Sequence, residues 1–239
     1  MKITIISMAV SALLFTSCRF DTRWITGNGD VITESRQVQG FSGIALNLNA
    51  DVYFVQDSVY RIEISAQKNV LDAIETSTNG NTLKIAYTPF TIVRRHKQIT
   101  VRIHAPHVNE FNVNGSGNIY TDKINESDKM QFVVNGSGSI EVQNVTAPEM
   151  QATISGSGNC TVKGGTVETA GLRISGSGDL HCADLMCKYG NIDISGSGNA
   201  DIYATETLEV NISGSGDVRY KGKPRMTQRI SGSGSVRSW

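Results

Sequence analysis

Serine hydroxyls recur through the second half of the sequence, and an activated serine is a common nucleophile. Seven of them stand between two glycines. A catalytic serine needs a histidine to take its proton and a carboxylate to orient that histidine. No histidine or aspartate recurs in step with the triplets, which also lack the Gly-x-Ser-x-Gly spacing of a hydrolase elbow. The triplets therefore predict turns built on Gly115, Gly117, Gly136, Gly138, Gly156, Gly158, Gly176, Gly178, Gly196, Gly198, Gly214, Gly216, Gly232 and Gly234.

His181 and Asp201 are a pair of side chains with acid–base potential, because their repeat positions predict neighbouring places on one face. Glycan-cleaving enzymes use clustered carboxylates. The other positions of this file vary between acidic, hydroxyl and basic side chains. His104 and His107 flank Pro106 at a spacing that does not suit a helical metal pair. We therefore expect no catalytic residue, no metal and no cofactor, with polysaccharide cleavage involving Asp201 as an alternative.

Cys18 stands in a context that predicts lipidation. Lys2 is followed by an apolar run over residues 3–15, too short for a membrane span, and then by Thr16-Ser17-Cys18. This resembles the bacterial lipobox, with phenylalanine at position 15 where leucine is usual. The acyl chains added to such a cysteine would hold the mature protein on a membrane. The alternative is an ordinary cleaved signal followed by a chance cysteine.

The other three cysteines, Cys160, Cys182 and Cys187, have spacings that match no zinc or redox pattern. Cys160 and Cys182 fall in inward positions of the repeat, which predicts buried thiols, with a disulfide between neighbouring turns as the alternative.

Charge is balanced, with 22 basic and 22 acidic residues, so composition does not favour a nucleic-acid partner. The basic run Arg94-Arg95-His96-Lys97 is interpreted as a solvated loop, or alternatively as a contact for an anionic glycan or lipid headgroup.

The triplets recur every 18 to 21 residues, which by itself indicates a repeat architecture. Apolar residues alternate with polar ones on both sides of each triplet, the pattern of strands with one buried face. Stacked turns at about 4.8 Å would bury both apolar files in one column. The sequence thus predicts an all-β fold, a single-stack β-solenoid with about seven rungs. Its inward files are Val113, Val134, Ile154, Ile174, Ile194, Ile212 and Ile230 before the triplets, and Ile119, Ile140, Cys160, Leu180, Ala200, Val218 and Val236 after them.

The last repeat replaces inward residues by Gln228 and Ser238, which predicts a terminal rung partly open to solvent.

The residue directly after each triplet is polar throughout, so it would form an outward ladder. The amide and carboxylate members of this candidate binding ladder are Asn118, Asn159, Asp179, Asn199 and Asp217. Calcium-binding nonapeptide repeats are an alternative with stacked glycine turns, but they need a recurring aspartate and a denser glycine pattern.

The first half lacks the triplet but also alternates as strands do. Asn79-Gly80-Asn81 predicts a hairpin turn, and residues 69–74 predict one helical turn capped by Asn69. We expect this part to pack on the first rungs and cover their edge. The expected organisation is a signal peptide at 1–17, an anchor and linker at 18–40, an N-terminal β-rich capping part at 41–110 and the repeats at 111–239, with 41–239 as one continuous domain.

Several ordered motifs resemble a known family. They are Phe41-Ser42-Gly43-Ile44, Ala50-Asp51-Val52, Asn69-Val70-Leu71-Asp72 and Thr82-Leu83-Lys84-Ile85, followed by the Gly-Ser-Gly-Asn/Asp repeats. From about Phe41 to Trp239 the chain resembles the family named putative auto-transporter adhesin head GIN domain, common in exported proteins of Bacteroides-type bacteria. The resemblance implies a β-solenoid, a surface or periplasmic place and adhesion, and it supplies no catalytic residues.

These observations favour a non-catalytic cell-envelope lipoprotein that binds a glycan or a surface protein. It would be exported and held at the outer membrane, on the cell-surface or periplasmic side, through its lipid anchor. The alternatives are a structural envelope protein that self-associates through the solenoid ends, and a polysaccharide-degrading β-solenoid enzyme.

Overall fold

The computed structural model describes residues 22–239, so the predicted signal peptide and Cys18 lie outside the described residues. The chain is nearly all β and forms a β-solenoid of about six turns, which confirms the predicted fold class. In the part of the chain that the structure describes, no helix has the length and apolar character needed to cross a membrane.

The N-terminal part precedes the Gly-Ser-Gly triplets. It contains β1 (Arg23–Thr26), β2 (Val31–Arg36), β3 (Gly43–Asn47), β4 (Asp51–Gln56), β5 (Arg61–Gln67), α1 (Lys68–Leu71), β6 (Ile74–Asn79), β7 (Thr82–Tyr87), β8 (Thr91–Arg94) and β9 (Thr100–Ala105).

The repeat part follows. It contains β10 (Glu110–Gly115), β11 (Asn118–Asn125), β12 (Met130–Gly136), β13 (Ser139–Gly156), β14 (Asn159–Val162), β15 (Gly165–Gly176), β16 (Asp179–Gly196), β17 (Ala200–Gly214), β18 (Asp217–Lys221), β19 (Arg225–Gly232) and β20 (Ser235–Ser238).

Equivalent positions of successive repeats pair in parallel, so the inward residues stack in a file. Ile154 pairs with Ile174, which pairs with Ile194, and the file continues to Ile212 and Ile230. The first four of these side chains are at most 2% exposed, whereas Ile230 is 39% exposed. The column of aliphatic side chains predicted from the period-two pattern is therefore present, and it opens at the last turn. All residues of β19 are exposed, as the polar Gln228 predicted.

The Gly-Ser-Gly corners lie directly over one another. The Gly156 carbonyl accepts hydrogen bonds from the backbone N–H of Ser177 at 2.9 Å and of Gly178 at 3.1 Å, and the same pattern recurs at most other triplets. Gly176 has φ of +132°, and a Cβ there would lie 2.3 Å from the Gly156 carbonyl oxygen. The corners need glycine both for backbone conformation and for close stacking.

The N-terminal part continues the solenoid, but not in chain order. β3 pairs in parallel with both β7 and β10, and β4 pairs in parallel with both β9 and β11. The turn formed by β3 and β4 thus lies between the β7–β9 turn and the first triplet turn. Its corner is Leu48-Asn49-Ala50, against which the Gly117 corner packs.

Antiparallel strands cover the N-terminal end of the stack. β6 pairs with β7, β5 pairs with β9, and β2 pairs with β5, all antiparallel. The β6–β7 connection is the hairpin turn predicted at Gly80, which has φ of +58°. Covering the end in this way removes an edge to which another chain could pair.

Asn69 does not cap α1 as predicted. The N-cap residue is Gln67, without a side-chain capping bond. Instead, the Asn69 side chain donates to the Thr26 carbonyl at 2.8 Å and accepts from the Asn28 N–H at 3.1 Å. Asn69 therefore attaches the β1 segment to the body, a tertiary use that a local capping pattern does not reveal.

The thiols of Cys160, Cys182 and Cys187 are free and buried. Burial raises the pKa of Cys160 and of Cys187 to about 12, and holds the pKa of Cys182 well above its usual value. Because the thiolate is the reactive form, we expect iodoacetamide to leave all three unmodified in folded Cys18→Ser protein and to alkylate all three in urea. Intact mass gives the count. Modification of any of them in the folded protein would contradict the inward placement.

Candidate binding face

The strands that follow the corners present one outward surface along the whole stack, here called the ladder face. Its first column contains the residue one place after each corner and its second column the residue three places after. The first column runs Asp51, Asn118, Ser139, Asn159, Asp179, Asn199, Asp217 and Ser235, and the second runs Tyr53, Tyr120, Glu141, Thr161, His181, Asp201, Arg219 and Arg237.

The first column contains the five predicted ladder residues, and it bonds to itself. The Asn159 Oδ1 accepts the backbone N–H of Asp179 at 3.2 Å. The Asp179 Oδ1 accepts both the N–H and the side-chain amide of Asn199, each at 2.9 Å, and the Asn199 Oδ1 accepts the Asp217 N–H at 3.1 Å. In these turns a side-chain oxygen accepts the backbone N–H of the residue after the next corner. For Ser139 and Asn159 the acceptor of that N–H is instead the carbonyl of Gly117 or Gly138 in the turn before. The ladder therefore has a structural role that its outward position did not predict.

Asn118 has different hydrogen-bond partners from the other four ladder residues, because its side chain bonds to side chains of the neighbouring turns and not to a backbone N–H. Its amide donates to Asp51 at 2.9 Å, and its Oδ1 accepts from the Ser139 hydroxyl at 2.8 Å. At the other end, hydrogen bonds from Ser235 hold the pKa of Asp217 below its ordinary value, so Asp217 carries its charge at neutral pH. The last of the five ladder residues is thus a charged, outward carboxylate, next to Ser235 of the final turn.

The second column changes character along the stack. Tyr53 and Tyr120 stack with ring centroids 5.2 Å apart, and Tyr53 is 43% exposed. Farther along, the Asp201 carboxylate accepts from Arg219 Nε at 3.0 Å and lies 2.9 Å from His181 Nδ1. The sequence placed His181 beside Asp201. Arg219 was missed as a partner, although its place in the same column was the available signal.

A groove of about 310 Å³ lies on the ladder face near its C-terminal end. It contains three of the five predicted ladder residues together with the His181–Asp201–Arg219 cluster. Its lining residues are Asp179, His181, Asn199, Asp201, Asp217, Val218, Arg219, Ser235 and Arg237. Beyond the groove, the Arg219 guanidinium lies 4.5 Å from the centre of the Trp239 ring, a contact that no repeat position predicted.

A second recess, of about 420 Å³, lies on the other side of the corners. Its outward side chains form a file of small serines beside the file Arg173, Asp193, Asn211 and Arg229. Arg173 and Asn211 both bond to the Asp193 carboxylate, at 3.4 and 3.0 Å. Isoleucines, among them the exposed Ile230, also line this recess and make its lining more apolar than that of the ladder-face groove, so the groove is the better candidate site for a polar ligand.

Neither a metal-ligand cluster nor the triplet serines suggest chemistry beyond hydrogen bonding in the described residues, 22–239. Residues 22–239 contain no group of three or more His, Cys, Asp or Glu side chains arranged to hold a metal ion. The triplet serines lie at exposed corners, where the backbone N–H groups of those from Ser137 onward bond to the turn before. The arrangement suits recognition of a polar ligand through many directed hydrogen bonds.

The model of the family described as "Putative auto-transporter adhesin, head GIN domain" matches residues 40–224. The chain belongs to this family. The match includes β3 to β18 and six of the seven triplets, so it extends over both the N-terminal part and most of the repeats. No curated protein matches the chain.

Solved structures share the fold. A protein described as a putative adhesin from Bacteroides fragilis superposes with a TM-score of 0.84 at 22% identity, covering 90% of this chain and 100% of its own. A protein described as a putative lipid binding protein from Parabacteroides distasonis gives a TM-score of 0.75 at 26% identity, covering 91% and 100%. A putative adhesin from Parabacteroides merdae gives 0.69 at 22% identity, with 91% and 100% covered.

Proposed function

We propose that this protein is a non-catalytic, lipid-anchored adhesin of the cell envelope that binds a glycan in the ladder-face groove. The observation that carries the proposal is the groove itself, where Asp179, Asn199 and Asp217 are held in register beside donors such as Arg237. Each ladder residue uses one side-chain oxygen within the stack. The second carboxylate oxygens of Asp179 and Asp217 remain for a ligand.

Glycan hydroxyls both donate and accept hydrogen bonds, and this groove offers both kinds of partner along a straight, rigid sheet. Rigidity favours binding because little conformational freedom is lost when the ligand binds. A repeating ligand also matches a repeating surface, since neighbouring turns lie about 4.8 Å apart. The family description and two solved relatives named as putative adhesins support surface display and adhesion. The name of the Parabacteroides distasonis relative raises lipid as a second ligand class.

Self-association through the solenoid ends is disfavoured by charge. Residues 218–239 contain six lysines and arginines and no acidic residue, whereas residues 1–217 contain 16 basic and 22 acidic residues. Two open C-terminal ends brought together would repel each other. We therefore place the binding function on the ladder face rather than at the stack end.

Catalysis by the His181–Asp201–Arg219 cluster is also disfavoured. Asp201 is only 6% exposed, and both of its oxygens are engaged by Arg219 or His181. A general acid or base must reach the substrate, and this carboxylate is already occupied. Polysaccharide digestion that is lost in Asp201→Ala would overturn this part of the proposal.

The test is binding to arrayed glycans and to host-matrix proteins, followed by a paired substitution. Asn199→Ser with Asp217→Ser keeps a residue type that the column already contains at Ser139 and Ser235. We expect this variant to bind the selected glycan about thirtyfold more weakly, from the loss of two hydrogen bonds of about 1 kcal/mol each. Surface plasmon resonance gives the dissociation constants.

The matched control is Asp193→Ser with Asn211→Ser, which removes the same residue types from the opposite side of the corners. It should bind like the unchanged protein. An array and a matrix panel without any binding, or an equal loss in the control, would count against the proposal.

A further inference from the structure

A small sheet beside the solenoid carries an exposed apolar face. β1 and β8 pair in parallel to form what is here called the ribbon, with Trp24 opposite Ile92 and Thr26 opposite Arg94. Trp24 is 55% exposed and Ile92 is 41% exposed, whereas Ile25 on the opposite face is buried. At the ribbon's end Phe90 is 57% exposed and has φ of +59°. The ribbon thus presents Trp24 and Ile92 outward.

Basic residues accompany these apolar ones. Residues 22–30 and 88–98, which form the ribbon and its flanks, contain the four basic residues Arg23, Arg94, Arg95 and Lys97 against one acidic residue, Asp30, whose carboxylate lies 3.8 Å from Lys97 Nζ. All four basic residues are exposed. The Arg94 guanidinium lies 3.9 Å from the centre of the Trp24 ring, so charge and aromatic surface are presented together. This part of the surface is locally cationic in a chain with no net charge.

We propose that the ribbon docks on the anionic phospholipid surface of the membrane to which the protein is attached. Tryptophan with flanking arginine and lysine is the combination that partitions to the headgroup region, where the ring is amphipathic and the cations meet phosphate. Each basic residue near an anionic surface adds to the affinity. Ribbon docking would set the orientation of the solenoid relative to the membrane.

The position of the ribbon in the chain favours this occupant. The predicted lipidated residue, Cys18, precedes Arg23 by five residues, which span at most roughly 18 Å when extended. An acylated Cys18 would therefore hold the ribbon within reach of the headgroups. This step rests on the anchor of the proposed function, whereas the affinity of the ribbon for lipid does not.

A second copy of the chain fits the ribbon less well. A stable protein interface buries about 800 Å² on each side. The ribbon is too small to supply that area, because each of its two strands has only four residues. Four basic residues would also face each other in a symmetric dimer. Both points favour a planar anionic surface over a copy of the same ribbon.

The experiment uses the chain from residue 18 with Cys18→Ser, which keeps every described element and carries no acyl group. Vesicles of phosphatidylcholine alone are compared with vesicles that also contain phosphatidylglycerol, by flotation. We expect binding to the anionic vesicles only. Arg94→Glu with Arg95→Glu should weaken it by on the order of thirtyfold or more.

Fluorescence reports the insertion of Trp24. The chain has two tryptophans, so a Trp239→Phe background leaves Trp24 as the reporter. Its emission should shift to the blue on anionic vesicles, and Ile92→Ala should reduce the shift. The matched control is Lys188→Glu with Tyr189→Ala, an exposed basic and aromatic pair on the solenoid, which should bind vesicles normally.

Equal vesicle binding by the ribbon variants and the unchanged protein, or no binding by the unchanged protein, would overturn the proposal. A dimer in light scattering that Trp24→Ala abolishes would overturn it as well, in favour of a second copy. None of these measurements involves a glycan or an acylated form of the protein. They therefore fail or succeed independently of the proposed adhesin function.

Discussion

Gly176→Ala is expected to destabilise the protein by about 2 to 6 kcal/mol. Gly176 has φ of +132°, a conformation that costs a residue with a Cβ about 1 to 3 kcal/mol. The added methyl would also lie 2.3 Å from the Gly156 carbonyl oxygen, and forcing it into a packed stack costs about 1 to 3 kcal/mol more. Both costs are unavoidable because turns on each side fix the corner. Urea unfolding followed by circular dichroism gives the change in free energy.

The control for this substitution lies in the same turn. A Cβ on Gly171 would meet nothing closer than the Gln151 side chain at 3.5 Å, so Gly171→Ala should change stability by less than about 0.5 kcal/mol. Gly232→Ala makes the same clash with the Gly214 carbonyl, but the last turn can lift away. It should therefore expose residues near β19 to protease without unfolding the rest. Equal stability losses for Gly176→Ala and Gly171→Ala would show that the corners do not stack as described.

The repeat part was readable from sequence because its information is periodic. A glycine triplet every 18 to 21 residues fixes the corners, and alternation around it fixes which side chains face inward. Parallel in-register pairing then brings Ile154 over Ile174 without further information. Every repeat gives the same assignment of corner and inward positions, so a wrong assignment in one repeat would disagree with those of the neighbouring repeats and be recognised.

The N-terminal part lacked this redundancy. Its strands alternate, but nothing in the local pattern says that β3 pairs with both β7 and β10. That order requires the chain to leave the stack after β4, build the next turn outward, and return to the opposite side of β3. Long-range order of this kind depends on which pairing buries the most apolar surface, which is a property of the whole core.

The candidate site was likewise predicted in position but not in bonding. The sequence put Asp179, Asn199 and Asp217 in one outward file. It did not show that their side-chain oxygens accept backbone N–H groups of the next turn, because that depends on corner geometry within tenths of an ångström. The Trp239 contact with Arg219 depends on the path of the terminal residues and has no periodic counterpart.

Phe111→Ala is expected to loosen the N-terminal part and the first repeats together. Phe111 is fully buried in β10, which pairs with β3 on one side and β12 on the other. Its ring centroid lies 5.2 Å from that of Phe54 and 6.1 Å from that of Phe132, so it joins the aromatic residues of both parts. Removing a buried phenylalanine ring costs about 3 to 5 kcal/mol.

Hydrogen exchange read by mass spectrometry locates this loss. If residues 41–239 are one domain with a continuous core, protection should fall in β3 and β4 as well as in β10 to β12, because stacked turns stabilise their neighbours. Tyr189→Ala is the matched control, since Tyr189 is 44% exposed and its loss should change protection little. Unchanged protection in β3 and β4 of the Phe111→Ala protein would mean that the two parts fold separately, and that the shared sheet pairing contributes little to the stability of either.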